Sequence, residues 1–199
     1  TAYSVFANGG SLVEPYFIER IEDRNGLVLE ERQPVFREAA IPQDTAYVMT
    51  DILKGVVNEG TGKLARELGR PVAGKTGTTN DLRDAWFIGY SPDLLAGVWV
   101  GYDDSKAMSR GETGARAANP IWNYFMAEAL KDRPVDDFHA PDSVSFVKID
   151  SESGLLPGPY SKKTVFQAFK KGTEPTEYTP KPESAKSGQF QQYDMDFDQ

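Results

Sequence analysis

The chain contains no cysteine, which excludes disulfides, thiolate nucleophiles and zinc–thiolate sites. It holds a single histidine, His139 between Phe138 and Ala140, so a two-histidine metal site is impossible. An isolated loop histidine is usually structural, and no metal or cofactor is expected. Positive charge is in deficit: 22 basic against 30 acidic residues give a formal charge of −8. Phosphate binding wants a basic face, so a nucleic-acid partner is not expected, and the acidity reads as a solubility feature. No apolar run reaches membrane-span length. The first residues, Thr1-Ala2-Tyr3-Ser4-Val5-Phe6, carry neither an initiating Met nor a basic segment. They read as the end of a helix stopped at Asn8-Gly9-Gly10, so the chain is expected to be cut from something longer.

What the sequence does contain is enough for one core, with 39% hydrophobic residues over 199 positions. A strand is expected from Pro15 to Ile21, with a return at Leu27-Val28-Leu29 after the tight Asn25-Gly26 turn. Gln33 to Ile41 shows no period and reads as a connector. Pro42 to Asn58 reads as a helix, with Asp44 in its first turn. Val48, Ile52 and Val56, flanked by Met49 and Leu53, mark its expected buried face. A short helix is expected from Lys63 to Leu68, ended by Gly69 and Pro71. Pro71–Thr79, Ala85–Tyr90 and Leu94–Tyr102 are extended runs with short connections and predict an antiparallel meander. Ala117 to Lys131 predicts a closing helix with Ile121, Tyr124, Phe125 and Ala129 facing inward. Ser143 to Ile149 alternates like a strand. The segment from residue 176 onward is charge- and proline-rich and reads as a disordered tail. The domain reading is therefore 1–133 as the core portion, 134–175 as an extension, and 176–199 as the tail.

Gly74-Lys75-Thr76-Gly77-Thr78-Thr79 concentrates the chemistry: one lysine, three hydroxyls and two glycines in an expected strand. Alternation puts Thr76 and Thr78 on one face and Lys75, Gly77 and Thr79 on the other. A glycine inside a strand marks close approach of a ligand or another backbone. A strand edge with free N–H groups, hydroxyls and a nearby ammonium suits a peptide carboxylate or an added peptide strand. Gly69 to Thr76 also fits the spacing of a phosphate loop. The residues after Lys75 favour a strand rather than the helix such a loop opens, which argues against a nucleotide.

Lys75-Thr76-Gly77 followed by Thr78 resembles the K-T-G element of penicillin-binding proteins and serine β-lactamases. Ala7-Asn8-Gly9-Gly10, Asp84-Ala85-Trp86-Phe87-Ile88-Gly89-Tyr90 and Val98-Trp99-Val100-Gly101-Tyr102-Asp103 are similar to segments of class A bifunctional penicillin-binding proteins. So are Gly111-Glu112-Thr113-Gly114 with Ala118-Asn119-Pro120-Ile121-Trp122, and later Gly172-Thr173-Glu174-Pro175. The resemblance implies an α+β fold, an antiparallel sheet flanked by helices, with the helical half of the transpeptidase domain missing. It implies a D,D-transpeptidase that cross-links peptidoglycan stem peptides by serine acyl transfer and is acylated by β-lactams. Lys75 would supply charge near the nucleophile, and Thr76 and Thr78 would bind the substrate carboxylate. The Thr78 N–H would serve as an oxyanion-hole donor, and Gly77 would keep the strand edge open to substrate. The implied location is the periplasmic face of the bacterial inner membrane, with the anchor upstream.

The family also needs a nucleophile in S-x-x-K and a second S-x-N element. The chain has no S-x-N, and its one S-x-x-K is Ser145-Phe146-Val147-Lys148. That match lies in a strand pattern, where positions i and i+3 point apart, whereas the nucleophile should open a helix. No nucleophile is therefore assigned in this chain, and the fragment alone is expected to be inactive. Its expected partner is the missing N-terminal part of the same protein. A non-catalytic β-lactam sensor or scaffold of the same fold is the alternative, and a serine β-lactamase the third reading.

Overall fold

A computed structural model describes residues 1–37 and 39–181. Two compact units result: Thr1–Val147 with Gln167–Glu174, and Lys148–Phe166 with the chain from Pro175.

In the first unit, α1 (Ala2–Ala7) ends at Asn8, and Gly9 and Gly10 then take positive φ. Gly10 has no alternative, because a Cβ there would lie 2.2 Å from the Ile41 carbonyl oxygen. β1 (Leu12–Val13) pairs with β4 (Phe36–Arg37), antiparallel, so the expected connector over 33–41 holds a short strand. Two residues per strand are too few to leave a hydropathy period. The Asn25-Gly26 hairpin forms between β2 (Arg20–Glu22) and β3 (Val28–Glu31). The strand expected from Pro15 is confined to β2, and Phe17 and Ile18 stand exposed outside it. The Asp23 carboxylate accepts the Asn25 and Leu27 N–H groups at 2.7 and 2.9 Å and fixes the turn.

Helix α2 (Gln43–Asn58) forms where expected, with Pro42 as its N-cap residue. Its buried positions are Ala46, Thr50, Leu53 and Val57. Of the expected face only Leu53 is buried, Val48 and Val56 are half-buried, and Met49 and Ile52 are exposed, so the face is rotated. Small Ala46 and polar Thr50 carry little hydropathy signal. Thr50 is buried because its hydroxyl meets the Tyr90 hydroxyl at 2.9 Å and the Ala46 carbonyl at 3.0 Å. Lys63–Leu68 is a 3₁₀ segment ending at Gly69 in the left-handed region.

The central sheet is the expected meander, in order β5 (Ala73–Thr78), β6 (Asp84–Tyr90) and β7 (Leu95–Gly101). Thr76 pairs with Phe87, Thr78 with Ala85, and Lys75 with Ile88. One sheet face thus carries Thr76, Thr78, Ala85 and Phe87, and the other Lys75, Gly77, Trp86 and Trp99. On the first face a π-helical turn (Gly114–Ala118) leads into α3 (Asn119–Ala129). Trp122, Met126 and Leu130 bury at i, i+4 and i+8 with Phe87, Val57 and Ala65. The inward stripe expected for this helix was one position off, since Ile121, Tyr124 and Phe125 are exposed. The helix is apolar on several sides, so hydropathy alone does not choose its face. The choice is made by Gly89, where a Cβ would lie 2.9 Å from the Trp122 ring.

β8 (Val144–Asp150) pairs with β9 (Thr164–Lys170). Within the first unit, α2 holds the end of β9: Asp51 accepts the Gln167 amide at 2.6 Å and the Ala168 N–H at 2.8 Å. In the second unit, the Asp150 carboxylate accepts the Glu152 and Ser153 N–H groups at 2.8 and 3.0 Å. Leu156 makes an isolated parallel bridge with Tyr178. Of the tail expected over 176–199, residues 182–199 lie outside the described residues.

Among the described residues, no helix is long and apolar enough to cross a membrane.

Candidate functional site

Lys75, Thr76, Gly77 and Thr78 all lie on β5, which ends the sheet order and so presents an edge. No helix opens after Lys75, and the segment before the strand is the 3₁₀ turn, so the phosphate-loop arrangement is not formed. The direction of the edge's backbone follows from one bond. Thr79 N–H donates to the Asp84 carbonyl at 3.1 Å. N–H groups alternate along an antiparallel strand, so those of Lys75 and Gly77 point toward β6. The N–H groups of Thr76 and Thr78 point toward the outer edge.

The side chains are held in three ways. Lys75 is exposed, and its ammonium donates to the Thr76 carbonyl at 2.8 Å, so the charge folds back over the strand. Thr76 is half-buried, and its hydroxyl lies 2.7 Å from that of Thr61 in the turn after α2. The Thr78 hydroxyl accepts the Gly114 N–H at 3.1 Å. With an oxygen lone pair used internally, its proton is left to donate to another group.

The glycines explain the tightness. A Cβ on Gly114 would lie 2.3 Å from the Trp86 carbonyl and 2.5 Å from that of Gly77, so only glycine lets the π-helical turn lie against the sheet here. A Cβ on Gly77 would lie 3.2 Å from the Trp86 Cβ, on the Lys75 face. Gly77 therefore has a packing reason in addition to any ligand. Thr61 and Gly114 were not singled out in the sequence as parts of this edge. The glycines that flank Thr61, Gly60 and Gly62, are the one local signal of a tight turn there.

The other candidates fall elsewhere. Ser145 and Lys148 are on β8 as strand residues, and the Ser145 hydroxyl donates to Glu174. That bond is the leading cause that holds the Glu174 carboxyl below its ordinary range. Along that strand positions i and i+3 point to opposite faces, so Lys148 does not share a face with Ser145 as the lysine of a helical S-x-x-K would. His139 lines a cavity of about 390 Å³ with Phe6, Tyr47, Thr50 and Phe138, which includes none of the β5 residues. Among the described residues, no group of three or more His, Cys, Asp or Glu could hold a metal ion.

The arrangement is a strand edge with two outward N–H groups, two supported hydroxyls and one exposed ammonium. It can bind an anion and an extended backbone together.

Comparison with known proteins gives this edge a setting. Residues 1–127 match the family described as penicillin binding protein transpeptidase domain, and residues 140–184 the one described as penicillin-binding protein 1A, C-terminal domain. The chain is 44% identical over 174 residues to penicillin-binding protein 1A of Aquifex aeolicus, covering 87% of this chain and 24% of that protein. It is 45% identical over 148 residues to penicillin-binding protein 1A of Neisseria lactamica, covering 72% of this chain and 18% of that protein. The crystal structure of penicillin-binding protein 1A from Haemophilus influenzae superposes with a TM-score of 0.77 at 30% identity, over 90% of this chain and 32% of that one. The chain thus spans about a quarter of the length of the curated relatives it matches.

Proposed function

The chain belongs to the penicillin-binding protein transpeptidase family, and from that membership we propose that it forms the carboxylate-binding wall of a peptidoglycan D,D-transpeptidase. The observation that carries the proposal is the β5 edge, where the Thr76 and Thr78 hydroxyls share one face and the Lys75 ammonium, from the other face, folds over to the Thr76 carbonyl. An ionised carboxylate accepts hydrogen bonds only, so it would take the two hydroxyl protons while the ammonium supplies opposite charge. An extended stem peptide would run along the strand edge.

The serine nucleophile belongs to the N-terminal part of the same protein in this proposal. It attacks the penultimate D-Ala carbonyl, its proton passes to a nearby base, and the terminal D-Ala leaves with a proton. An amine of a second stem then displaces the serine and forms the cross-link. The outward Thr78 N–H would stabilise the oxyanion, a contribution of about 3–4 kcal/mol for one such donor. β-Lactams would acylate the same serine, and this chain alone would be inactive. The complete protein would work at the extracytoplasmic face of the inner membrane.

The test uses the full-length polypeptide with a donor peptide ending in D-Ala-D-Ala and an amine acceptor. Release of D-alanine together with a serine-linked penicillin adduct is the expected result. Penicillin labelling without any turnover would favour the sensor or scaffold reading, and rapid steady-state penicillin hydrolysis would favour a β-lactamase. Neither labelling nor turnover by the folded protein would end the proposal.

A further inference from the structure

We propose that Thr61 is a positioning residue for substrate-carboxylate recognition, acting through the hydroxyl of Thr76; the inference rests on the transpeptidase reading. The two hydroxyl oxygens are 2.7 Å apart, and the residues are 15 positions apart in the chain. Thr61 is held rigidly. The Val56 carbonyl at the end of α2 accepts the N–H groups of both Gly60 and Gly62, each at 3.1 Å. A Cβ on Gly60 would lie 2.8 Å from that same oxygen, and one on Gly62 3.3 Å from it. The buried Asn119 of α3 reaches the Gly62 carbonyl at 3.4 Å. The helix end, the turn and α3 together fix where the Thr61 hydroxyl sits.

The direction of the bond follows from proton counting. Each threonine hydroxyl has one proton and two acceptor sites. A carboxylate at the β5 edge has no proton to give, so Thr76 must donate to it. Thr61 must then donate to Thr76. The result is a directed chain, Thr61 to Thr76 to carboxylate, in which each bond polarises the next. Without Thr61 the Thr76 rotor is free to point its proton elsewhere, and binding the carboxylate has to order it.

The test measures the second-order acylation rate of the full-length polypeptide by a penicillin with a free carboxylate, and by its methyl ester. Thr61→Val keeps the shape and removes the hydroxyl, and Thr61→Ser restores it. Thr61→Val should slow acylation by the free acid roughly three- to tenfold, slow the ester reaction clearly less because its acceptor is uncharged, and be rescued by Thr61→Ser. An equal loss with acid and ester would make Thr61 merely structural and overturn the proposal. No loss in Thr61→Val, with Thr76→Val and Lys75→Ala both impaired, would overturn it and leave the transpeptidase reading standing. Undiminished labelling in all three variants would overturn both.

Discussion

The Gly114 N–H donates to the Thr78 hydroxyl at 3.1 Å, joining the π-helical turn to the end of the K-T-G strand. The turn approaches so closely that any side chain at 114 would meet backbone oxygens at 2.3 and 2.5 Å. Backbone atoms cannot swing away as a side-chain tip can, so the strand or the turn has to move. Gly114→Ala is expected to destabilise the folded domain by about 1–3 kcal/mol through overpacking. It should also weaken penicillin labelling, because Thr78 moves with the strand. Thermal unfolding of the full-length variant checks the first effect, and an unchanged midpoint would refute the contact.

Asp51 accepts two hydrogen bonds from β9, one of them from the Ala168 backbone. Asp44 on the same helix pairs with Lys170 at 3.1 Å, and Tyr47 meets Phe146 edge-on at 6.0 Å between ring centroids. One side of α2 therefore fastens β8 and β9 in the first unit. Asp51→Ala leaves a donor of β9 unsatisfied, at a cost of about 1–3 kcal/mol. Amide exchange at Ala168 should accelerate more than at Phe87. Equal protection of Ala168 in both proteins would count against this fastening.

Acidification should loosen the chain through a small set of carboxylates. The Asp44 carboxyl is held below its usual range chiefly by the Lys170 hydrogen bond, and that of Glu174 chiefly by Ser145. The Asp150 carboxyl is lowered first by the Ser161 hydroxyl and then by the Ser153 and Glu152 N–H groups. Each group binds its proton less tightly folded than unfolded. Their stabilisation is complete above the ordinary carboxylate range of about 4 and fades as pH falls through the lower folded values. The urea midpoint of the full-length protein should drop below about pH 4, and drop less steeply in Asp150→Asn. A midpoint that rises on acidification would contradict the assignment.

Trp86 and Trp99 pair directly across β6 and β7, yet they remain 43% and 42% exposed. Large aromatic rings on a sheet face are usually covered, and an open patch of this kind favours association. The isolated 199-residue chain is expected to be poorly soluble or molten and to bind an apolar dye such as ANS. A sharp, high-temperature unfolding transition without dye binding would contradict that.

The elements that could be read in advance were those with a local code. Asn25-Gly26 specifies a hairpin, and the β-branched and aromatic runs around Ser91-Pro92-Asp93 specify β6 and β7. The K-T-G run was read from its residues and its ordered neighbours. Helix faces were less legible. Thr50 is buried for a hydroxyl pair with Tyr90, 40 residues away, and Trp122 turns inward because Gly89 leaves it room. Such reasons are tertiary and leave no period in the sequence. Thr61 was missed on the same ground, since only the fold brings it to Thr76.

The central claim is that Lys75 and its strand edge form one wall of a penicillin-reactive site. The most direct measurement is fluorescent-penicillin labelling of the full-length protein carrying Lys75→Ala, alongside a thermal-unfolding control. Loss of most labelling in a folded variant is the predicted result. Wild-type labelling in a folded Lys75→Ala protein would contradict the claim.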